Sequence, residues 1–502
     1  MNSIAMMTAS GPIRGRRISG INVFKGIPFA KPPIGNLRFA PPECAEPWIE
    51  PLDCVNFGPT AIQEGHRVGL PMSEDCLTLN VWAPAEGSKM PVFIYIHGGG
   101  FNAGCNAETN MDGMCFAKDG VVMVTINYRL NVLGFFASQQ TLDLYGTTGN
   151  WGLLDQIKAL EWVNANIALF GGDPHNVTVG GGSAGAYSVT ALMLSPLAKG
   201  LFQKTALQSG DILSIASFSY YARGHLERSI AASEQMFSRI FGVSDNAEGL
   251  CKLRAVNPRI FPHMVPTSPH ILALYPYECL PLFDGFVLPK DPVKALTNGD
   301  FNKVKMIFGY SADEGAVFVP LGLNEHQYQM FAIELFGHER AETFLQRFPV
   351  DSRHTASRRT RDMLAFAMFN AGMVLLGDAY SQIGLDVYAY RFDYVRLQDQ
   401  KPETGAEHCS DMAYIFNNLE EDDHEVRQRE LANDMHQRWL NFMKSHDPNQ
   451  ENVNLNVLWP KYTKEHKKAL IFGGQTVESV IPQKADIEFM QGLMFDGEPY
   501  YK

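Results

Sequence analysis

Short apolar runs recur along the chain at wide intervals, each bounded by glycine or polar residues. They lie at Pro91–Ile96, around Val121, at Asn176–Val179, Lys204–Gln208, Lys305–Gly309 and Val387–Phe392, and near Lys468. Runs of this length rich in Val, Ile, Tyr and Phe predict buried strands. Between them the spacing changes to three and four. Leu153, Ile157, Leu160, Val163 and Ile167 form one such stripe, and Leu431, Met435, Trp439 and Phe442 form another within a predicted helix over Val426–Lys444. Both stripes read as core packing faces. The alternation predicts an α/β fold, a large and mostly parallel sheet flanked by helices, as one domain over 1–502. Strand patterning fades in two stretches, 211–292 and 325–380, which predict helical insertions over the strand ends. No Gly/Ser linker, low-complexity tract or internal repeat divides the chain.

Composition narrows the partners. With 502 residues and 45% hydrophobic content, the chain has material for a large core. A net charge of -12 argues against nucleic acid and anionic membrane surfaces, which are bound by concentrated cation. The basic runs Arg14–Arg17 and Arg358–Arg361 read as solvated faces. No segment approaches 18 consecutive apolar residues, so no membrane-spanning helix is expected. Arg14, Arg16 and Arg17 follow no long apolar stretch, unlike a secretion signal. Eight cysteines without a Cys-x-x-Cys pair point to a reducing, cytoplasmic setting. His424-Glu425-Val426-Arg427-Gln428 begins like a zinc-binding helix but lacks its second histidine, and no metal site is expected.

The chemistry concentrates at Gly181-Gly182-Ser183-Ala184-Gly185, where a predicted strand gives way to an apolar helix, Ala186–Leu194. A serine between glycines at such a junction has the layout of a nucleophile elbow. The same glycines offer a rival reading. Gly180, Gly182 and Gly185 satisfy G-x-G-x-x-G, with Asp211 downstream, which imitates a dinucleotide fingerprint. The remaining parts of a serine hydrolase decide between the two. The strand Pro91–Ile96 runs into His97-Gly98-Gly99-Gly100-Phe101, whose exposed backbone N–H groups suit a tetrahedral oxyanion. Two adjacent carboxylates, Asp313 and Glu314, follow the strand Lys305–Gly309, and either is a candidate acid. His408 follows the strand Val387–Phe392, completing the chain order Ser, acid, His.

Taken together these segments resemble the type-B carboxylesterases, the family of bacterial para-nitrobenzyl esterases, liver carboxylesterases and cholinesterases. The likeness runs through Phe24–Pro33, Glu74–Val81, the glycine loop, Asn127-Tyr128-Arg129, Gly149–Gln156 and Phe170–Pro174, with the bacterial branch most similar. The resemblance implies an α/β-hydrolase fold and a serine carboxylesterase acting through an acyl-enzyme, without a cofactor. It makes Ser183 the nucleophile, His408 the base and Glu314 the acid, with Gly99, Gly100 and Ala184 as the oxyanion hole. Pocket candidates are Phe101, Phe318, Met368, Phe369 and Met373. Three positions depart from the family pattern: Gly182 replaces its usual glutamate, Cys409 its usual glycine, and Ala61 a cysteine that commonly pairs with Cys76. Without the glutamate, and without tryptophan in Ala61–Glu74, the expected substrate is a neutral, fairly apolar ester. The partner expected is that small molecule, and the protein is expected to be a monomer. The alternatives are a hydrolase of amides or peptides, as in prolyl-oligopeptidase-like enzymes, and a non-catalytic binding relative of the neuroligin kind. Catalytic motifs that begin by residue 97 and a full set of triad residues favour the esterase.

Overall fold

The computed structural model describes residues 2–65, 68–217, 226–264, 280–400, 404–419, 426–450 and 457–495. Its framework is a 13-stranded sheet. In chain order the strands are β1 (Asn2–Thr8), β2 (Gly11–Ile18), β3 (Ile21–Pro28), β4 (Leu52–Asp53), β5 (Thr78–Pro84), β6 (Met90–Ile96) and β7 (Val122–Ile126). There follow β8 (Gly172–Gly182), β9 (Lys204–Gln208), β10 (Lys305–Ser311), β11 (Val387–Phe392), β12 (Lys468–Phe472) and β13 (Thr476–Val480). The spatial order is β1-β2-β3-β5-β7-β6-β8-β9-β10-β11-β12-β13, with β4 beside β2. From β7 to β12 every pairing is parallel, and the antiparallel strands lie toward the two edges.

Strand β6 shows why the sequence builds a sheet covered on both faces. Val92, Ile94 and Ile96 pack into one core while Phe93 and Tyr95 pack into a second on the opposite face, and all five are buried. A strand that hides both sets of side chains reads as a continuous apolar run. The helices Trp151–Asn166 and Ala184–Leu194 supply the first core, and Val426–Ser445 supplies the second through Leu431, Met435, Trp439 and Phe442. The 151–166 helix stops one residue short of the predicted stripe. Ile167 opens a 3-10 turn that ends at Gly171, whose φ of 80° closes it.

Register aligns the strand ends that matter. Ile96 pairs with Gly181, Gly182 with Gln208, Gln208 with Gly309, and Ser311 with Phe392. The chain therefore leaves β6, β8, β9, β10 and β11 along one edge of the sheet, the usual ligand edge of open parallel sheets. The described part of 211–292 holds the helices Ile212–Ser217, Leu226–Phe241 and Ala247–Ala255 and the 3-10 turn Pro258–Met264. The segment 325–380 holds Glu325–Phe336, His338–Arg347, Ala356–Leu364 and Ala371–Gln382, with a π-helical turn at Ala365–Asn370.

Two sequence expectations change here. The run Arg358–Arg361 is not a solvated face: Arg361 is 6% exposed, and Arg358 and Arg361 both pair with the buried Asp313. In addition, the helical stretch Ala356–Gln382 is by length and composition apolar enough to cross a membrane, which no run of consecutive apolar residues revealed. Since 83% of its apolar window is buried inside the fold, it is a core helix.

Candidate active site

Ser183 sits between β8 and the helix Ala184–Leu194 with φ 56° and ψ −127°. A non-glycine residue in this sparsely populated region is held there only by surrounding structure. The surroundings are glycine-tight. A Cβ at Gly185 would lie 2.1 Å from the Ile96 carbonyl oxygen, and one at Gly181 would lie 2.5 Å from the Gly185 carbonyl carbon. Helix and strands thus approach as closely as backbones allow, and the serine is displaced outward at the sheet edge. The Ser183 N–H donates to Gln208 O at 2.9 Å, fixing the turn from the neighbouring strand.

The glycine loop abuts this elbow. A Cβ at Gly98 would meet Gly182 O at 2.7 Å and Ser183 Cβ at 3.1 Å. Gly99 and Gly100 have φ of 106° and 62°, so the loop depends on glycine. Among the described residues no protein acceptor takes the N–H of Gly99 or Gly100, and Ala184, first in its helix, has no preceding turn to bond to. The loop is braced from behind. His97 stacks on Tyr128 with ring centroids 4.5 Å apart, Tyr128 Oη donates to His97 O at 3.1 Å, and Gln63 holds Gly104 through both its N–H and its C=O.

Glu314 and His408 are brought together from positions 94 residues apart. The Glu314 carboxylate is fully buried. One oxygen accepts from Ser209 Oγ at 2.6 Å and from the Ser311 N–H at 2.5 Å, while the other bonds His408 Nδ1. His408 Nε2 is enclosed and makes no hydrogen bond to protein among the described residues. Phe369 and Phe318 stand against the imidazole, with ring centroids 4.6 and 5.1 Å from it. Burial opposes a charged imidazole, but Cys409 and the Glu314 carboxylate favour it, and the balance holds the His408 pKa well above its usual value.

Asp313 has a different task. It is equally buried, but its carboxylate faces Arg358 at 3.4 Å and Arg361 at 3.6 Å and accepts from Gly405 N–H at 3.1 Å. Its own N–H donates to Ala406 O at 2.8 Å, part of a parallel bridge between Asp313 and Glu407. It therefore fastens the loop that carries His408. Asp211, the residue the dinucleotide reading required, is a buried cap instead: its carboxylate accepts from the N–H and Oγ of Ser214, both at 2.9 Å.

Of the expected pocket residues, the structure brings Phe318 and Phe369 to the imidazole, stacked with centroids 5.7 Å apart. It places the others in packing roles. Phe101 is wedged against Phe135 and Tyr187, Met368 is buried with its carbonyl bonded by Tyr187 Oη, and the Met373 sulfur accepts from Gly210 N–H. Their apolar character signals burial and does not distinguish a pocket wall from a core. Sequence reasoning also missed Ser209 and Asp411. Ser209, with φ 56°, holds Glu314 from the end of β9, and its only sequence signal is its place directly after that strand. Asp411 is buried three residues past His408, bonded by Tyr390 Oη at 2.6 Å and pushed up to about 6 by its burial.

Comparison with known proteins agrees with this geometry. Residues 2–490 match the model of the carboxylesterase family. Para-nitrobenzyl esterase of Bacillus subtilis (strain 168) is 33% identical over 94% of this chain and 95% of its own length. Carboxylesterase 1C of Rattus norvegicus is 30% identical over 98% and 94%. Among solved structures, a para-nitrobenzyl esterase superposes with a TM-score of 0.84 at 29% identity, covering 97% of this chain and 99% of that one. A carboxylesterase of Geobacillus stearothermophilus gives 0.80 at 32%, with the same coverage. Near-complete coverage in sequence and in structure leaves one conclusion: the chain belongs to the carboxylesterase family and is an α/β-hydrolase that cleaves carboxylic esters.

Proposed function

We propose that Ser183 is the nucleophile of a carboxylesterase acting on neutral, fairly apolar esters, with His408 as general base, Glu314 as its acid partner, and Gly99, Gly100 and Ala184 as oxyanion donors. The observation that carries this reading is the buried Glu314–His408 bond beside an elbow serine held at φ 56°. His408 Nε2 takes the proton as Ser183 Oγ attacks the ester carbonyl, and the developing oxyanion meets the unbonded loop N–H groups. The tetrahedral intermediate collapses as His408 returns that proton to the leaving alcohol. Water then attacks the acyl-enzyme, giving its proton to the same imidazole, and the acid departs with Ser183 Oγ reprotonated. Glu314 fixes the tautomer by accepting from Nδ1–H and stabilises the imidazolium in both halves.

The preference for neutral esters rests on the charge around the imidazole. Phe318 and Phe369 are its ring neighbours, Glu314 is engaged by His408, Ser209 and the Ser311 N–H, and Gly182 contributes no carboxylate. A quaternary ammonium therefore finds no free carboxylate among these groups. The test compares kcat/KM for butyrylcholine with that for its uncharged isostere, 3,3-dimethylbutyl butyrate. The neutral ester is expected to be favoured, and a clear choline preference would overturn the reading. The free thiols of Cys44, Cys54, Cys76, Cys115, Cys251 and Cys409 support a reducing, cytoplasmic setting, and we propose a monomeric enzyme.

A further inference from the structure

The elbow and the histidine loop touch at two residues whose identities depend on each other. A Cβ at Gly182 would lie 3.2 Å from Cys409 Sγ, 3.1 Å from Tyr95 Oη and 3.5 Å from Met412 Cε. The space in front of Gly182 is therefore shared by the Tyr95 hydroxyl and the Cys409 sulfur, and any larger residue at 182 would have to displace both. Cys409 reaches this place at a cost, because its φ of 57° is left-handed, a conformation that glycine adopts freely and that strains other residues. A residue kept in a strained conformation directly after the histidine, with its sulfur against the elbow glycine, calls for a functional account.

We propose that Cys409 is a positioning residue for His408, its sulfur acting as a backstop that holds the imidazole in line with Ser183, and that Gly182 exists to leave room for it. The imidazole is otherwise held by Glu314 at Nδ1 and by Phe369 and Phe318. None of these contacts comes from the elbow residues Gly181 to Gly185. Burial pushes the Cys409 thiol up while the neighbouring imidazole draws it down, and the polarisable sulfur adds a contact that favours the charged imidazole. The ionisable groups that face this pair are Glu314, Tyr95, Tyr390 and Asp411. Of these, Glu314 bonds the imidazole, Tyr95 Oη bonds Gln208 at 2.8 Å, and Tyr390 bonds Asp411. This role rests on His408 being the general base.

The experiment uses purified full-length enzyme and a para-nitrophenyl ester. Cys409→Gly is expected to lower kcat about tenfold with KM within twofold, to move the acid limb of the kcat profile to lower pH, and to leave Tm unchanged or raised, since glycine relieves the φ. A merely structural cysteine would instead lower Tm and leave the pH profile in place. Cys409→Ala, which keeps Cβ and the strain but removes the sulfur, should lose kcat similarly and serves if the glycine variant is unstable. Gly182→Ala should cost at least threefold less in kcat on top of Cys409→Gly than in the wild-type background, its remaining loss coming from the contact with Tyr95 Oη. The proposal is overturned if both cysteine variants keep kcat within threefold of wild type, or if Gly182→Ala costs the same in both backgrounds. His408→Gln in the same assay separates the two readings. If it stays active, the base assignment fails. If it is inactive while the cysteine variants work normally, only the backstop fails.

Discussion

The sheet edge and the helical cover are made of the same apolar vocabulary but obey different constraints. At the edge, backbones meet at distances that exclude a Cβ, Ser183 and Ser209 are both held at φ 56°, and Glu314 has each carboxylate oxygen assigned. In the cover, over Glu325–Gln382, helices pack through Phe, Leu and Met, and the π-helical turn Ala365–Asn370 swings Phe369 to the imidazole while Phe366 packs away against Phe348. Chemistry is therefore set where sterics leave almost no choice of residue. Recognition is set where many apolar residues would pack equally well.

The sharpest test of this contrast is at the elbow. Ser183→Ala is expected to reduce kcat by about 10³-fold or more with Tm essentially unchanged, and an organophosphate should label Ser183 stoichiometrically. Labelling at another serine would move the nucleophile.

Next come the adjacent carboxylates, which divide chemistry from support within one loop. Glu314→Gln should lower kcat by about 10²-fold or more, because the imidazole loses its orienting charge. It should also move the acid limb of kcat/KM. A base with a raised pKa must lose its proton before it can act, so wild-type activity should fall below a midpoint that lies above pH 6.5, and removing the carboxylate should move that midpoint down. The same shift acts on folding in the opposite sense. Stability from the protonated imidazole is fully present below the unfolded pKa and is lost as pH rises through the folded one. Asp313→Asn, by contrast, leaves the buried Arg361 without its counter-charge, while Arg358 keeps Asp362 at 2.6 Å, and should cost about 2 kcal/mol of stability, with a smaller loss of kcat. The reverse ranking in kcat would make Asp313 the acid.

In the cover the effects shift from rate to preference. Phe369→Ala and Phe318→Ala are expected to change kcat/KM by about tenfold, unequally between short and bulky acyl esters, measured over a para-nitrophenyl series. Uniform losses across the series would assign both rings to support of His408 alone. The smallest effect expected is that of a reducing agent. With Cys76 and Cys409 free, it should leave Tm unchanged, and a fall of many degrees would reveal a crosslink.

What the sequence revealed follows the same division. Ser183, the glycine loop, His408 and the acid loop were legible because each follows a buried apolar run in an order that one sheet edge requires. The antiparallel strands β2 and β13 are largely polar and exposed and show no continuous apolar run. Arg358–Arg361 looked solvated because an ion pair with Asp313, some 45 residues earlier, leaves no local pattern. Phe101 and Met373 read as pocket candidates because hydrophobicity alone does not say which side of a wall a residue occupies. Cys409 was visible as a departure, but its tie to Gly182 needed the fold.

The bridge between Asp313 and Glu407 bears on how such an enzyme diversifies. It joins the loops bearing Glu314 and His408 through Asp313 N–H to Ala406 O and Gly405 N–H to the Asp313 carboxylate, so acid and base form a preassembled unit before any ester arrives. The chain between them, from the end of the acid loop to the start of β11, is spent on the helical cover. A recombinant in which that intervening stretch is exchanged with a relative's, keeping Arg358 and Arg361, would inherit a new specificity together with an intact proton-transfer pair. The fold is in this sense modular across a hydrogen-bonded seam, with its variable part inserted between two halves of its most constrained contact.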